Sequence, residues 1–208
     1  EGDNELSRIY DSLPGPTPKT YQWAVIDTEG EIRFTIADDM ERVGPFIDGR
    51  AKFYRDGRWG IIDDRGEVVV PARYGHKPRG YGDRVTMFAV DGERSDNSDG
   101  YIEVLDRDGQ RIARIPFLDD EGRFMIDAKH VFHEGLLGVE LARGLNEGKD
   151  FERLGWGFMD THGRMVIEPQ FYSVGHFSEG HAFASPMNSG TTGILRNPLR
   201  GQSEDHAG

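Results

Sequence analysis

Two fifteen-residue stretches of the chain read almost alike, and they decide its fold. Residues 57–71 are GRWGIIDDRGEVVVP, and residues 155–169 are GWGFMDTHGRMVIEP. Each stretch has tryptophan and glycine, a short apolar run, an Asp-x-x-Gly step, and a second apolar run that reaches a proline. Recurrence of this kind indicates internal repeats, which are best identified before any single element is assigned.

The Asp-x-x-Gly step appears four times, each time after an apolar run. Aspartate at the first position of a four-residue turn accepts backbone amides, and glycine at the fourth adopts the left-handed conformation that lets the chain reverse. Each copy therefore predicts a tight turn between two strands. The four copies are Asp27 with Gly30, Asp63 with Gly66, Asp106 with Gly109, and Asp160 with Gly163.

Further apolar runs follow each turn, and a glycine-containing step leads into a third run. We therefore predict an all-β fold of tandem antiparallel hairpins or meanders, because a lone hairpin is marginal in water and stacked units bury a shared core. Whether the units form a linear array or a propeller-like ring stays open. The β domain is expected over 20–197, and the approximate units are 20–55, 56–98, 99–152 and 153–197.

The ends of the chain differ from the repeats. Leu6, Ile9, Tyr10 and Leu13 recur at helical spacing before Pro14. This pattern predicts a short N-terminal capping helix over the open edge of the first unit, followed by a Pro-rich linker, within residues 1–19. A recognition helix for a partner is the alternative. Residues 198–208 are expected to form a flexible tail.

The quoted stretches resemble the WG repeat, which occurs in tandem in many bacterial proteins. The later Phe-x-x-Gly-x-Ala of that family stands here at residues 46–51 and 177–182. The resemblance implies a β-rich module that serves as a scaffold for binding, with no catalytic residues to carry over. Two copies depart from the pattern: the first has Trp23-Ala24, and the third has Ile102-Glu103.

The repeated residues are interpreted as structural. Trp23, Trp59 and Trp156 are expected to begin strands in three of the four units, which favours buried plugs over an exposed aromatic row for sugars or partners. The repeated aspartates could be catalytic carboxylates, but their place in every hairpin favours turn formation. The structural motif set also contains the two glycines that follow tryptophan, Gly60 and Gly157.

Composition limits the partners. The chain has 25 basic and 37 acidic residues and a net charge of −12, so nucleic acid is disfavoured, whereas a basic protein is possible. It has no cysteine, so disulfides and Cys-ligated zinc are absent, and it has no apolar run long enough to span a membrane. It begins at Glu1 without methionine, which favours a periplasmic or exported bacterial protein and leaves a cytoplasmic one open.

Two metal sites were considered. Ser95, Asn97, Asp99 and Asp106 fall at ligand positions of a calcium-loop pattern, but serine replaces its first aspartate and aspartate its last glutamate. A polar hairpin extension is the alternative. The second pattern consists of histidine pairs, His130 with His133 and His176 with His181, which by themselves are not a ligand set. We therefore expect no metal and no cofactor.

The leading functional hypothesis is a non-enzymatic scaffold that recognises a protein or an envelope component through inserted loops. One alternative is an acidic immunity protein that neutralises a basic toxin or enzyme. Another is a hydrolase that uses Asp119, Asp120 and Glu121, although no catalytic motif accompanies them. The candidate loop residues are Glu93, Asp96, Asn97 and Asp99 in one insertion, and Arg143, Asn146 and Lys149 in the other.

Overall fold

The structure is a computed structural model that describes residues 23–82, 84–94, 99–129, 131–144, 151–187 and 192–200. Within these ranges every named element is a β-strand that pairs antiparallel with at least one of its neighbours in the chain. The all-β prediction and the tandem arrangement of hairpins are therefore confirmed. By its internal contacts the chain divides into two units, Glu1–Asp39 and Met40–Gly208.

One part of the fold prediction, the short N-terminal helix, needs correction. The described ranges contain β-strands joined by turns and loops and no helix, so the short N-terminal capping helix is not supported. The segment on which the helix was expected, residues 1–19, lies outside the described residues. The pattern was a weak basis for a helix, because isolated helices shorter than about 12 to 15 residues are marginal in water.

In the first unit the described part forms one hairpin. Strands β1 (Ala24–Ile26) and β2 (Ile32–Thr35) pair around the first Asp-x-x-Gly turn. Trp23, which precedes β1, is 77% exposed.

The second unit contains three sheets, each with its strands in chain order. The first sheet consists of β3 (Arg42–Val43), β4 (Arg50–Arg55), β5 (Arg58–Asp63) and β6 (Val68–Tyr74). The second consists of β7 (Arg79–Gly82), β8 (Val85–Val90), β9 (Tyr101–Leu105) and β10 (Arg111–Pro116). The third consists of β11 (Arg123–Ala128), β12 (Leu136–Arg143), β13 (Glu152–Asp160), β14 (Met165–Val174), β15 (His181–Pro186) and β16 (Gly193–Arg196).

The sheets cross the boundaries of the sequence repeats. Strand β4 is the last run of one repeat, and it pairs along its whole length with β5, the tryptophan strand of the next. The two are joined by a two-residue turn in which Asp56 and Gly57 have φ of 48° and 76°, the double left-handed geometry that matches the twist of a hairpin. Each sheet is thus shared by consecutive repeats, which interlocks them.

Adjacent sheets also pack face to face. Tyr74 and Val70 of the first sheet lie in one apolar cluster with Phe88 and Leu105 of the second. The Tyr74 and Phe88 rings stack with their centroids 3.7 Å apart. A larger cluster joins the second and third sheets. Its buried members are Val85, Met87, Ile102, Val104, Ile115, Ala128, Phe132, Leu137, Val139, Leu141 and Met159.

The Trp-Gly step faces a wide bulge in the following strand. On β5 only Gly60 separates Trp59 from Ile61, whereas their partners on β6, Tyr74 and Val70, are separated by three residues. The same bulge recurs opposite Gly157 between β13 and β14. The bulged carbonyls approach the glycines so closely that a Cβ would lie 2.5 Å from the Val70 oxygen at Gly60 and 2.5 Å from the Ile167 oxygen at Gly157.

The prolines of the quoted stretches lie inside these bulges. Neither Pro71 nor Pro169 ends its strand, since β6 continues to Tyr74 and β14 to Val174. Proline has no amide to donate to a ladder, so a bulge accommodates it where a regular pairing position would not. The tryptophan, glycine and proline of the repeat therefore belong to one bulged pair of strands.

Each Asp-x-x-Gly turn has the same hydrogen bonds. At Asp106, Oδ1 accepts the amides of Asp108 and Gln110 at 2.9 and 2.8 Å, and the carbonyl accepts the Gly109 amide at 3.1 Å. Asp27, Asp63 and Asp160 repeat this pattern. Asp119 with Gly122 forms a fifth such turn, which was not among the four predicted from the sequence.

Replacing Asp106 with alanine should lower the free energy of unfolding by about 1 to 2 kcal/mol, because two turn amides lose their acceptor as they do when a helix cap is removed. The matched control is Asp108→Ala in the same turn, since that side chain is 77% exposed and has one distant ion pair, 3.9 Å from Arg50. The control should change stability by less than about 0.5 kcal/mol. Urea unfolding at pH 7 measures both, and equal losses would contradict the assigned role.

Candidate functional site

A buried glutamate occupies the glycine position of the third repeat. Aligned on its turn aspartate, Ile102-Glu103 stands where Trp59-Gly60 stands in the second repeat. Around Glu103 the partner strand has no three-residue bulge, and Glu103 pairs directly with Arg114. Loss of the bulge leaves room for a side chain, and the Glu103 side chain is only 7% exposed.

Four polar groups converge on the Glu103 carboxylate. The Tyr74 hydroxyl donates a short hydrogen bond to Oε2, and the Arg73 Nη2 lies 3.6 Å from the same oxygen. On the other side, Arg111 Nη1 and Arg114 Nε lie 3.5 and 3.4 Å from Oε1. Tyr74 and Arg73 come from the first sheet and the others from the second, so the cluster exists only where the two sheets pack.

The environment shifts the proton equilibria of this cluster. Burial acts to raise the pKa of Glu103, but hydrogen bonds from Tyr74, Arg111 and Arg114 and the charge of Arg73 outweigh it and hold the pKa below its ordinary value. Burial, followed by the hydrogen bond to Glu103, raises the pKa of Tyr74 to about 12. The cluster is thus an ionised carboxylate held by a neutral phenol and three guanidinium groups.

The cluster lies at the floor of an open groove of about 430 Å³, which we call the arginine groove. It is lined by Arg58, Arg73, Tyr74, Tyr101, Glu103, Arg111 and Arg114, with Gly75, His76, Ala89, Val90 and Asp91 around them. Four arginines against Glu103 and Asp91 give a formal charge of +2. The groove is therefore positive in a chain whose net charge is −12.

Two arginines of the groove are held against aromatic rings. The Arg114 guanidinium carbon lies 4.7 Å from the ring centre of Tyr101, and that of Arg73 lies 5.0 Å from the ring centre of Tyr74. At the rim His76 Nε2 and Asp91 Oδ2 are 2.7 Å apart. Stacking and ion pairing orient the guanidinium planes, so the floor of the groove presents hydrogen-bond donors in fixed positions.

The first candidate loop borders this groove. Asp99, a candidate for both partner and calcium binding, accepts the amides of Glu93 at 2.9 Å and Arg94 at 3.1 Å, and these bonds lower its pKa. The Asp106 side chain accepts two amides of its own turn. Ser95, Asp96 and Asn97 lie outside the described residues, so the calcium-loop pattern is not tested by the structure.

In the second candidate loop Arg143 ends β12 and pairs with Glu152 at the start of β13. Asn146 and Lys149 lie outside the described residues. Part of the insertion is thus an extension of a long hairpin.

The histidines do not form a ligand set in the described ranges. The rings of His133 and His176 lie 4.3 Å apart, and His181 Nδ1 lies 3.1 Å from the Glu179 carbonyl oxygen, while His130 is outside the described residues. Across the part of the chain that the structure describes, no three His, Cys, Asp or Glu side chains are grouped so that they could hold a metal.

The acids of the hydrolase alternative are dispersed in a turn. Asp119 accepts two turn amides, and its Oδ2 accepts a 2.7 Å hydrogen bond from Arg123 Nε. Glu121 lies 3.4 Å from the same arginine, and Asp120 is exposed at the tip. Asp119 and Glu121 share Arg123 as a counterion and, with Glu168, line a second groove of about 340 Å³, whereas Asp120 is not part of that lining.

The tryptophans have three different environments. Trp156 is 8% exposed and lies beneath the Lys129 ammonium at 4.5 Å. Trp59 is half-buried against Tyr54, with ring centres 4.9 Å apart. Trp23 is largely exposed, so the plug interpretation describes Trp156 best.

The residues of the arginine groove were not among the candidates predicted from the sequence. Ile102-Glu103 was recognised as a departure from the repeat, but no role was predicted for a charged side chain at a glycine position. That substitution was the available signal. The arginines gave none, because Arg73 and Arg111 are far apart in sequence and only the packing of two sheets brings them to one carboxylate.

The geometry of the Trp-Gly hairpins agrees with a comparison to known families. A family model described as WG containing repeat matches residues 59–75 and 156–185, the two stretches that contain the bulged strand pairs. This chain contains WG repeats. The third repeat of the chain, in which glutamate stands at the glycine position, lies between the two matched segments and supplies the floor of the arginine groove.

No curated protein matches the chain in sequence. Among the described residues, none belongs to a helix long and apolar enough to cross a membrane.

Proposed function

We propose that this WG-repeat chain is a non-enzymatic binding module that holds a protein partner at the end of the second sheet, where the loop between β8 and β9 borders the arginine groove. The observation that supports it best is that two groups of polar residues have different surroundings. The repeated aspartates are engaged by turn amides, whereas residues that break the repeat, Glu103 above all, converge on an open groove.

The position of the loop adds support. Val90 at the end of β8 pairs with Tyr101 at the start of β9, and Ala89, Val90, Asp91 and Tyr101 also line the groove. The inserted residues 93–99 thus lie between two strands whose ends form the groove. Insertions at one edge of a repeat are where repeat proteins vary their binding surfaces.

The test is a loop-shortened variant in which residues 93–99 are replaced by Asn-Gly, a sequence suited to a two-residue hairpin turn. We expect it to retain the thermal midpoint within about 4 °C, a change of less than about 1 kcal/mol for a chain of this size, and to lose capture of protein partners from a bacterial lysate. A second variant, with residues 145–150 replaced in the same way, is the matched control for shortening a loop away from the groove.

Capture that survives shortening of the first loop would contradict this proposal. Capture lost only on shortening the second loop would place the surface at the β12 to β13 hairpin instead. A salt series separates a basic partner, whose affinity for a chain of net charge −12 should fall steeply with salt, from one recognised by apolar contact.

A further inference from the structure

We propose that the arginine groove is a receptor site for an oxyanion, the carboxylate or phosphate group of a small ligand or of an acidic side chain. The inference goes beyond the proposed function, because it names the chemistry of a ligand for the groove and does not require the β8 to β9 loop to bind a protein.

Arg73, Arg111 and Arg114 have more N–H donors than their contacts with Glu103 use. A guanidinium has five N–H donors in a fixed plane, and the structure gives Arg111 and Arg114 one ion-pair contact each, both to Glu103. Their side chains are each 53% exposed, and that of Arg73 is 54% exposed. Within the described residues, Glu103 is the only carboxylate within 4 Å of these three arginines.

Glu103 organises the arginines without neutralising them. One buried carboxylate faces three guanidinium groups, so a charge of +2 remains at the floor before the rim is counted. The rings of Tyr74 and Tyr101 hold Arg73 and Arg114 in place. Donors that are already oriented lose less entropy when a ligand arrives, and bidentate pairing with planar oxyanions is what arginine does best.

The groove also has room and an apolar side for the rest of a ligand. Its volume of about 430 Å³ lies within the range of about 300 to 1,000 Å³ for small-molecule sites. Ala89, Val90 and Tyr101 supply apolar surface beside the arginines. An organic anion, or an acidic residue with its neighbouring chain, fits this combination better than a cation would.

The experiment is calorimetric titration of the intact chain with three probes: inorganic phosphate, citrate, and a blocked tetraglutamate peptide. We expect saturable binding of at least one probe. The double variant Arg111→Gln/Arg114→Gln should weaken that binding at least tenfold. Arg65→Gln is the control, because it makes one such replacement at an exposed turn residue outside the groove and should leave affinity within about twofold, as expected for a screened surface charge.

Each outcome decides a point. Binding of phosphate or citrate identifies a free small anion as the ligand source, and binding of the peptide alone identifies an acidic segment. No saturable binding by any probe, or equal weakening in the double variant and the control, would overturn the inference. Arg111→Lys/Arg114→Lys guards against misfolding, because it keeps the charge and should retain part of the affinity. Partner capture by the shortened-loop variant is a separate measurement, so either proposal can fail alone.

Discussion

Replacing Gly157 with alanine should lower the free energy of unfolding by about 3 kcal/mol or more, at the upper end of the range for overpacked sites. The new Cβ would lie 2.5 Å from the Ile167 carbonyl oxygen and 2.9 Å from the Pro169 nitrogen. Both are backbone atoms of the bulge and cannot move without breaking the pairing of β13 with β14. Gly157 does not have a positive φ, so the loss would be steric in origin.

Gly60→Ala should behave in the same way, because its Cβ would meet the Val70 carbonyl oxygen at 2.5 Å and the buried Phe53 ring at 2.6 Å. The matched control is Gly75→Ala, just beyond the end of β6, where a Cβ meets nothing within 4 Å. Urea unfolding at pH 7 measures all three variants. If Gly157→Ala and Gly75→Ala have the same stability, the close approach across the bulge is not what selects glycine in the repeat.

Raising the pH through the range from 10 to 12 should remove about 2 to 3 kcal/mol from the free energy of unfolding through Tyr74 alone. Below its ordinary pKa of 10.0 the phenol is protonated in both states, and the contribution is fully present. Between 10.0 and the folded value of about 12 only the unfolded state loses its proton, so stability falls as the pH rises. Above the folded pKa the contribution is gone.

The comparison that isolates this contribution is Tyr74→Phe against Tyr172→Phe, since Tyr172 is 70% exposed. Tyr74→Phe should cost about 1 to 3 kcal/mol at pH 7, because the buried Glu103 carboxylate loses a donor, and should flatten the alkaline decline. Tyr172→Phe should reproduce the original curve. Urea unfolding from pH 8 to pH 11.5 gives the slopes, and an unchanged slope in Tyr74→Phe would refute the assigned coupling to Glu103.

The first prediction concerns the glycine position of the repeat, and the second concerns Tyr74, which bonds the glutamate that occupies this position in the third repeat. At Gly157 and Gly60 the absence of a side chain permits the bulge, and the repeat remains structural. At Glu103 the bulge is absent, a carboxylate occupies the space, and arginines from two sheets gather around it. A single substitution in a repeat thus changes a packing element into the floor of a groove, and the repeats on either side keep the scaffold in place.

The turns were predictable because their chemistry is local. Asp63 and Gly66 are three residues apart, and the aspartate accepts amides within four residues of itself, so no distant contact is needed. Asp119 follows the same rule, but its turn was not among the four predicted from the sequence. The helix prediction rested on a weaker signal, since a short amphipathic pattern forms a stable helix only when other parts of the protein pack against it.

The sequence by itself determined an all-β chain of repeated hairpins, because hydrogen bonds within a four-residue turn and the alternation of apolar runs are properties of neighbouring residues. Only the tertiary structure decided that Tyr74 and Arg73 of one sheet meet Glu103, Arg111 and Arg114 of the next. Burial of the carboxylate and convergence of the arginines depend on how two sheets pack, and no local pattern encodes that contact.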